Sequence, residues 1–419
     1  MLQKLQNKPL PVILFTVFID LIGFGILIPV IPLLLADPRS PYFLLPAGVS
    51  LANGYLLLGF LTAIFPFCQF IATPILGQLS DKFGRKKILA SSLGGTCISY
   101  ILFAIGILTK NLPLLFIARA FDGFTGGNIA VAQAAIADIT KPEHRAKNFG
   151  LMGAVFGIGF IFGPFLGGKL SDHTLVSWFN AATPFWFAAI LSFLNVISVI
   201  FFFPETRKHI SNTVTIAWDK SIKNILHAYT YKSFRTLFIT VFLFQAGFGF
   251  FVGFFSVFLI NRFHFNQSNI GDFFSYVGLW IAFTQAFITR KVTTKYDEYQ
   301  ILRLTIFGSG VCILFYFLPT IWWQLLIITP FFAICNGLSQ ANLTALVSRS
   351  AGQEIQGEIL GINASIMALA QTIPPILSGI IAANITPESP ILVASLVILM
   401  AGFVFSVFYR PAKTITTAK

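Results

Sequence analysis

The chain has 419 residues, 56% of them hydrophobic and only 10% charged, and its 28 Lys and Arg against 15 Asp and Glu give a formal charge of +13. So little charge cannot cover a water-soluble fold of this size, which places the protein in a membrane. Nor does the basic excess make a nucleic-acid surface: with residue 1 on the cytoplasmic side, 23 of the 28 basic residues fall in the termini and even-numbered connections, the positive-inside bias of a membrane protein touching lipid phosphates.

A crossing helix needs about 20 mostly apolar residues. Such runs recur at 10–35, 51–76, 88–108, 114–138, 148–170, 184–203, 236–260, 270–288, 301–318, 325–346, 359–383 and 391–409. The pattern predicts an all-α membrane protein with twelve transmembrane helices and both termini cytoplasmic. The first run continues for some 26 residues into "ADPRSP" without a small-residue cleavage site, so it reads as a retained span and not a signal peptide. Cys68, Cys97, Cys312 and Cys335 fall within spans without metal-ligand spacing, and the five histidines sit in connections. Neither a metal centre nor an intramembrane imidazole proton carrier is expected.

The longest polar segment, 204–235, divides six spans from six. It predicts an N-terminal bundle at 1–203, a cytoplasmic linker at 204–235 and a C-terminal bundle at 236–419. "TVFIDLIGFG" (16–25) reappears as "TVFLFQAGFG" (240–249), matching Gly23 and Gly25 to Gly247 and Gly249. Gly150, Pro164 and Gly168 correspond likewise to Gly361, Pro375 and Gly379. Parallel six-helix repeats are one way to build a central site that opens alternately to either side.

Within the first span, Asp20 is the only acid, and the second copy has Phe244 in its place. About 10 residues into the span it lies about 15 Å deep, where a charge costs at least about 2.5–3.5 kcal/mol. The residue is expected to exchange a proton, the alternative being a buried Asp that only joins helices. In the fourth span Arg119 is the one basic residue well inside a helix, with Asp122 three positions on along the same face. Either Asp122 neutralises Arg119 and leaves Asp20 free to titrate, or both acids compete for one guanidinium. A static Arg–Asp packing pair is the alternative to both.

Between spans two and three, "GQLSDKFGRKK" (77–87) has the pattern G-x-L-x-D-x-x-G-R-K-x. It resembles the signature loop of the major facilitator superfamily. The resemblance implies the two-bundle, pseudo-symmetric fold of that family and a cytoplasmic latch formed by Gly77, Asp81, Gly84 and Arg85, with Asp138 pairing the arginine. An acid facing a helix N-terminus there would gain about 0.3–1 kcal/mol. In the fifth span, "GIGFIFGPFLGG" (157–168) is similar to the signature associated with antiporters, carried by Gly159, Gly163, Pro164, Gly167 and Gly168. Glycines allow close helix approach, and a bend is expected at Pro164.

"DLIGFGILIPVIP", Gln69 in "FCQFIATPILG" and "AIADIT" resemble tetracycline/proton antiporters and related drug/proton antiporters over most of the first half. The second half departs from them: it has no intramembrane histidine, and "TRKVTTKYDEYQ" lacks the loop's glycines. Gln69, Asn128, Gln133 and Gln245 are the amides expected to line a substrate cavity; most other amides would join helices.

The reading is therefore a proton-coupled secondary transporter of a bacterial inner membrane. It would export a small amphipathic compound, act as a monomer in the lipid bilayer and need no cofactor. Proton-coupled import, or export of an endogenous metabolite or siderophore, is the alternative within transport, and a transporter-like sensor or scaffold the alternative outside it. With no G-x-x-x-x-G-K-[ST] stretch and no nucleophile–His pair in the spans, nucleotide hydrolysis and other enzyme activity are not expected.

Overall fold

A computed structural model describes residues 9–46, 48–141, 144–207, 216–228, 230–231, 234–351 and 356–410, and among them there is no strand. The first three spans are α1 (Pro9–Leu35), α2 (Leu51–Phe83) and α3 (Arg85–Leu108); the fourth is split into α4 (Leu112–Thr125) and α5 (Asn128–Ile139). Spans five and six are α6 (Arg145–Leu170) and α7 (Thr183–Phe202), and a short helix, α8 (Lys220–Ala228), lies in the linker. Span seven is α9 (Arg235–Phe263). Span eight runs from α10 (Gln267–Phe283) through a π turn (Thr284–Ile288) into α11 (Thr289–Thr293). The last four are α12 (Glu298–Phe315), α13 (Leu325–Ser350), α14 (Gln356–Asn384) and α15 (Ser389–Phe408).

Ten helices among the described residues are long and apolar enough to cross a membrane. Two of the twelve expected spans are interrupted. Span eight is interrupted by its π turn, and span four breaks at Gly126–Gly127, where neither half alone is long enough. A break in lipid leaves carbonyls that need donors, and side chains supply them: Gln69 Nε2 donates to the Gly126 carbonyl at 2.7 Å, and the Ser92 hydroxyl donates to that of Thr125. Pro164 lies inside an unbroken α6.

The two halves have different cores. In the first, aliphatic residues of α1 to α3 pack with Phe103 and Phe185, whose rings stand 4.5 Å apart. In the second, Phe251 lies 4.4 Å from Phe255 and 4.7 Å from Phe332, and Phe255 4.9 Å from Tyr316, forming a continuous buried aromatic cluster. Many of the chain's phenylalanines are thus core, and others, such as Phe60, Phe67 and Phe193, cover its outside.

Across the halves, α2 packs on α14 and α6 on α10. The repeat seen in the sequence becomes two equivalent glycine contacts at the end away from the 77–87 loop. A Cβ at Gly168 would stand 3.0 Å from the Gly271 Cα, and one at Gly59 would stand 3.1 Å from the Gly379 Cα. Only glycine pairs let backbones approach this closely. Polar contacts finish the seal: Lys169 pairs with Asp272 at 2.7 Å, Gln267 donates to the Ser171 carbonyl at 3.2 Å, and the Arg39 Nη1 lies 2.8 Å from His264 Nδ1.

Toward the opposite, basic end the halves diverge. Along α6 a Cβ would meet its nearest neighbour at 2.6 Å at Gly168 and 3.2 Å at Gly157, both on span eight, and at 3.9 Å at Gly153; at Gly150 it would meet nothing within 4 Å. The contacts of α6 with span eight thus thin out from the far end toward the end carrying the 77–87 loop.

Candidate functional site

The break in span four builds the site. Asn128 is the first residue of α5, and its amide donates to the Asp20 carboxylate of α1 at 2.7 Å. The contact is made by the Asn128 side chain at the first turn of this half-helix. Asp20 is partly exposed, whereas Arg119 and Asp122 on the last turns of α4 are buried, 4% and 5% exposed. Arg119 Nη1 pairs with Asp122 Oδ2 at 3.0 Å, and its guanidinium stacks 4.4 Å over the Phe65 ring. Asp122 thus holds Arg119, and Asp20 has a different partner.

Tyr100 joins this group, and sequence reasoning missed it. Its hydroxyl lies over the Gly23 backbone, where a Cβ would stand 1.9 Å away. A void beside it, narrower than a water molecule, is lined by Tyr100, Arg119, Asp122 and Phe185. Both charges of the Arg119–Asp122 pair are buried, so screening between them is weak. No sequence signal marks Tyr100, because only the packing of α3 on the other helices brings it in.

The antiporter-like glycines have two separate jobs. Gly159, Gly163 and Gly167, four apart, face α1: a Cβ on each would lie 2.5 Å from the Leu21 Cβ, 2.7 Å from the Gly25 Cα and 2.5 Å from the Ile26 carbonyl. They hold the helix carrying Asp20. Gly168 and the Pro164 carbonyl face the other half at Gly271 instead.

At the basic end Arg85 is 4% exposed and binds Asp81 at 2.8 Å, Asp138 at 2.9 Å and Ser80 Oγ at 2.5 Å. Two residues not anticipated complete the cluster. Arg207 lies 3.5 Å from Asp81, and Glu205 accepts from the backbone nitrogens of Arg85 and Lys86 at 2.9 and 3.1 Å. The acid at the helix N-terminus is thus Glu205 and not Asp81. Gly84 is required here, because its φ is +96° and a Cβ would press into the Glu205 carboxylate. Gly77, by contrast, faces open space.

The amides sort unequally. Gln69 spends its NH2 on the break in span four, and Gln133 is exposed with no hydrogen bond among the described residues. Gln245 and Gln340 exchange amide hydrogen bonds of 2.9 and 3.1 Å between α9 and α13. That link joins spans seven and ten as Asp20–Asn128 joins spans one and four, with amides in place of the carboxylate.

The profile of the Major Facilitator Superfamily matches residues 13–373, and again 237–418. The chain belongs to the Major Facilitator Superfamily. Among superfamily members it is 33% identical to the class H tetracycline resistance protein of Pasteurella multocida over 393 residues, covering 90% of this chain and 89% of that protein. It is 26% identical to the quinolone resistance protein NorA of Staphylococcus aureus over 390 residues, covering 93% of each. Its fold superposes on a D-xylose-proton symporter with a TM-score of 0.74 at 14% identity, covering 96% of this chain and 98% of the other. This major facilitator is thus a multi-pass membrane transporter and not an enzyme.

Proposed function

We propose that this transporter exports a small amphipathic compound of the drug or tetracycline-like class in exchange for protons. The basic end faces the cytoplasm of a bacterium, the membrane is the inner one, and one chain in its lipid bilayer is the working unit. Resistance proteins among its relatives support the substrate class. The observation that carries the coupling is the division of labour at mid-depth, with Asp20 of α1 bonded to Asn128 of the half-helix α5 and Arg119 paired separately with Asp122.

Ionised Asp20 draws the Asn128 amide in a charge-assisted bond. Taking a proton at the carboxylate turns that bond into a neutral one, weaker by about 1 kcal/mol. A change of that size shifts two conformers about fivefold. Since α1 rides on Gly159, Gly163 and Gly167, loosening its link to α5 frees it to move with α6 relative to span four. The compound enters at the basic end and binds near the Gln245–Gln340 amide pair, where neighbouring aromatic faces would suit a flat apolar ligand. Asp81, Arg85 and Asp138, with Gly77 and Gly84, serve as the latch at that end.

The test is a resistance and efflux panel comparing wild type with Asp20→Asn at equal membrane abundance. The reading requires that wild type lower intracellular accumulation of at least one compound and that the variant lose uphill export. Equal protection by both refutes proton coupling through Asp20.

A further inference from the structure

The linker helix α8 presents two unlike faces. One is tied to both halves: Ser221 Oγ donates to the Phe70 carbonyl of α2 at 2.5 Å, and Asn224 donates to Ser365 Oγ of α14 at 3.1 Å. Ala217, just before the helix, exchanges hydrogen bonds with Gln78, and His227 lies 3.4 Å from Glu358. The other face carries Ile222 and Leu226, four apart, with Trp218 in the turn just before the helix, and these are 59%, 60% and 71% exposed. In a water-exposed loop such a row would be costly.

Its depth gives the reason. Phe70 is 19 residues from Leu51 and Ser365 is 19 residues from Asn384, so each anchor lies about 28 Å from the far end of its helix. The hydrocarbon core is about 30 Å thick. Both anchors therefore put α8 at the boundary between acyl chains and headgroups, where Trp is favoured. Lys220 and Lys223 are exposed on the flanks of α8, outside that row; Lys223 also binds Asp219 at 2.8 Å, a hydrogen bond that holds the Asp219 carboxyl below its usual range. The segment 204–235 has six Lys and Arg against two acids.

We propose that α8 is an interfacial anchor: Trp218, Ile222 and Leu226 dock into the leaflet at the basic end, and Lys220 and Lys223 bind the phosphates of anionic lipids. The inference rests on the spans crossing a bilayer and not on what is exported. Because α8 is tied to α2 of one half and α14 of the other, it connects the leaflet surface to the pair of helices that must separate or close at that end.

The full chain, reconstituted in phosphatidylcholine vesicles with and without phosphatidylglycerol, tests this by tryptophan quenching, with Trp218→Phe subtracted to isolate Trp218. Lipids brominated near the headgroup should quench Trp218, more strongly with phosphatidylglycerol, and aqueous iodide should not. Lys220→Glu with Lys223→Glu should lower the docked-to-undocked ratio by roughly fivefold per lysine in the anionic vesicles only. Quenching by iodide and not by lipid, as for a face turned to the cytosol, overturns the proposal, as does protection from both quenchers by a second copy or another protein. Lipid quenching indifferent to phosphatidylglycerol and to both reversals overturns the anionic-lipid assignment. Failure of drug export leaves these readings intact, since none of them measures transport.

Discussion

The amide of Asn128 reaches the Asp20 carboxylate at 2.7 Å from the first turn of a half-helix. That position exists only because span four breaks at Gly126–Gly127. Hydrogen bonds to a charged group contribute about 1.5–3 kcal/mol, so Asn128→Ala should lower proton-driven export on the order of tenfold while the protein still reaches the membrane. Asp20→Asn should abolish uphill export altogether. Substrate flux in vesicles with an imposed pH gradient measures both, and an Asn128→Ala protein with wild-type flux would remove this bond from the mechanism.

Arg119 and Asp122 allow packing to be separated from coupling. Removing one partner leaves a buried charge unpaired, so Asp122→Ala should destabilise the protein by about 3–5 kcal/mol, whereas an apolar replacement of both is often neutral. Arg119→Met with Asp122→Leu should therefore restore thermal stability in detergent yet not transport. Restored transport in the double variant would mean that the pair is only structural.

Gly163 and Gly150 lie on the same helix in opposite surroundings. A Cβ at Gly163 meets the Gly25 backbone at 2.7 Å, and one at Gly150 meets nothing within 4 Å. Gly163→Ala should cost about 1–3 kcal/mol by forcing α1 off α6, and Gly150→Ala should be tolerated. Thermal melting of the two purified variants compares them directly.

At the latch, charge alone is not enough. Arg85 serves Asp81, Asp138 and Ser80 at once through its planar fork, a geometry that a lysine ammonium cannot match. Arg85→Lys should lose roughly 2 kcal/mol of stability, read as a lower melting temperature; an unchanged value would show that one contact suffices.

The far-end seal can be fixed in place. In a background without the native cysteines, a short cross-linker between Lys169→Cys and Asp272→Cys should form readily in the closed state. It should stop transport while leaving the basic end open to labelling at Gly150→Cys. Undiminished transport after complete cross-linking would show that the far end need not open.

Much of this was fixed by local chemistry. The apolar runs, the charge asymmetry and the glycine echoes are properties of single segments in lipid, so they revealed the spans, the two halves and Asp20 without any tertiary knowledge. How the Thr125 and Gly126 carbonyls are satisfied needed tertiary structure, because a Gly pair in a span is sequence-neutral until Gln69 and Ser92 arrive as donors. The same holds for Tyr100, Glu205 and Arg207, which reach the site only through contacts between distant segments. How closely the halves meet along α6 was also beyond the sequence, because the contacts of Gly168 and Gly157 with span eight join segments about a hundred residues apart.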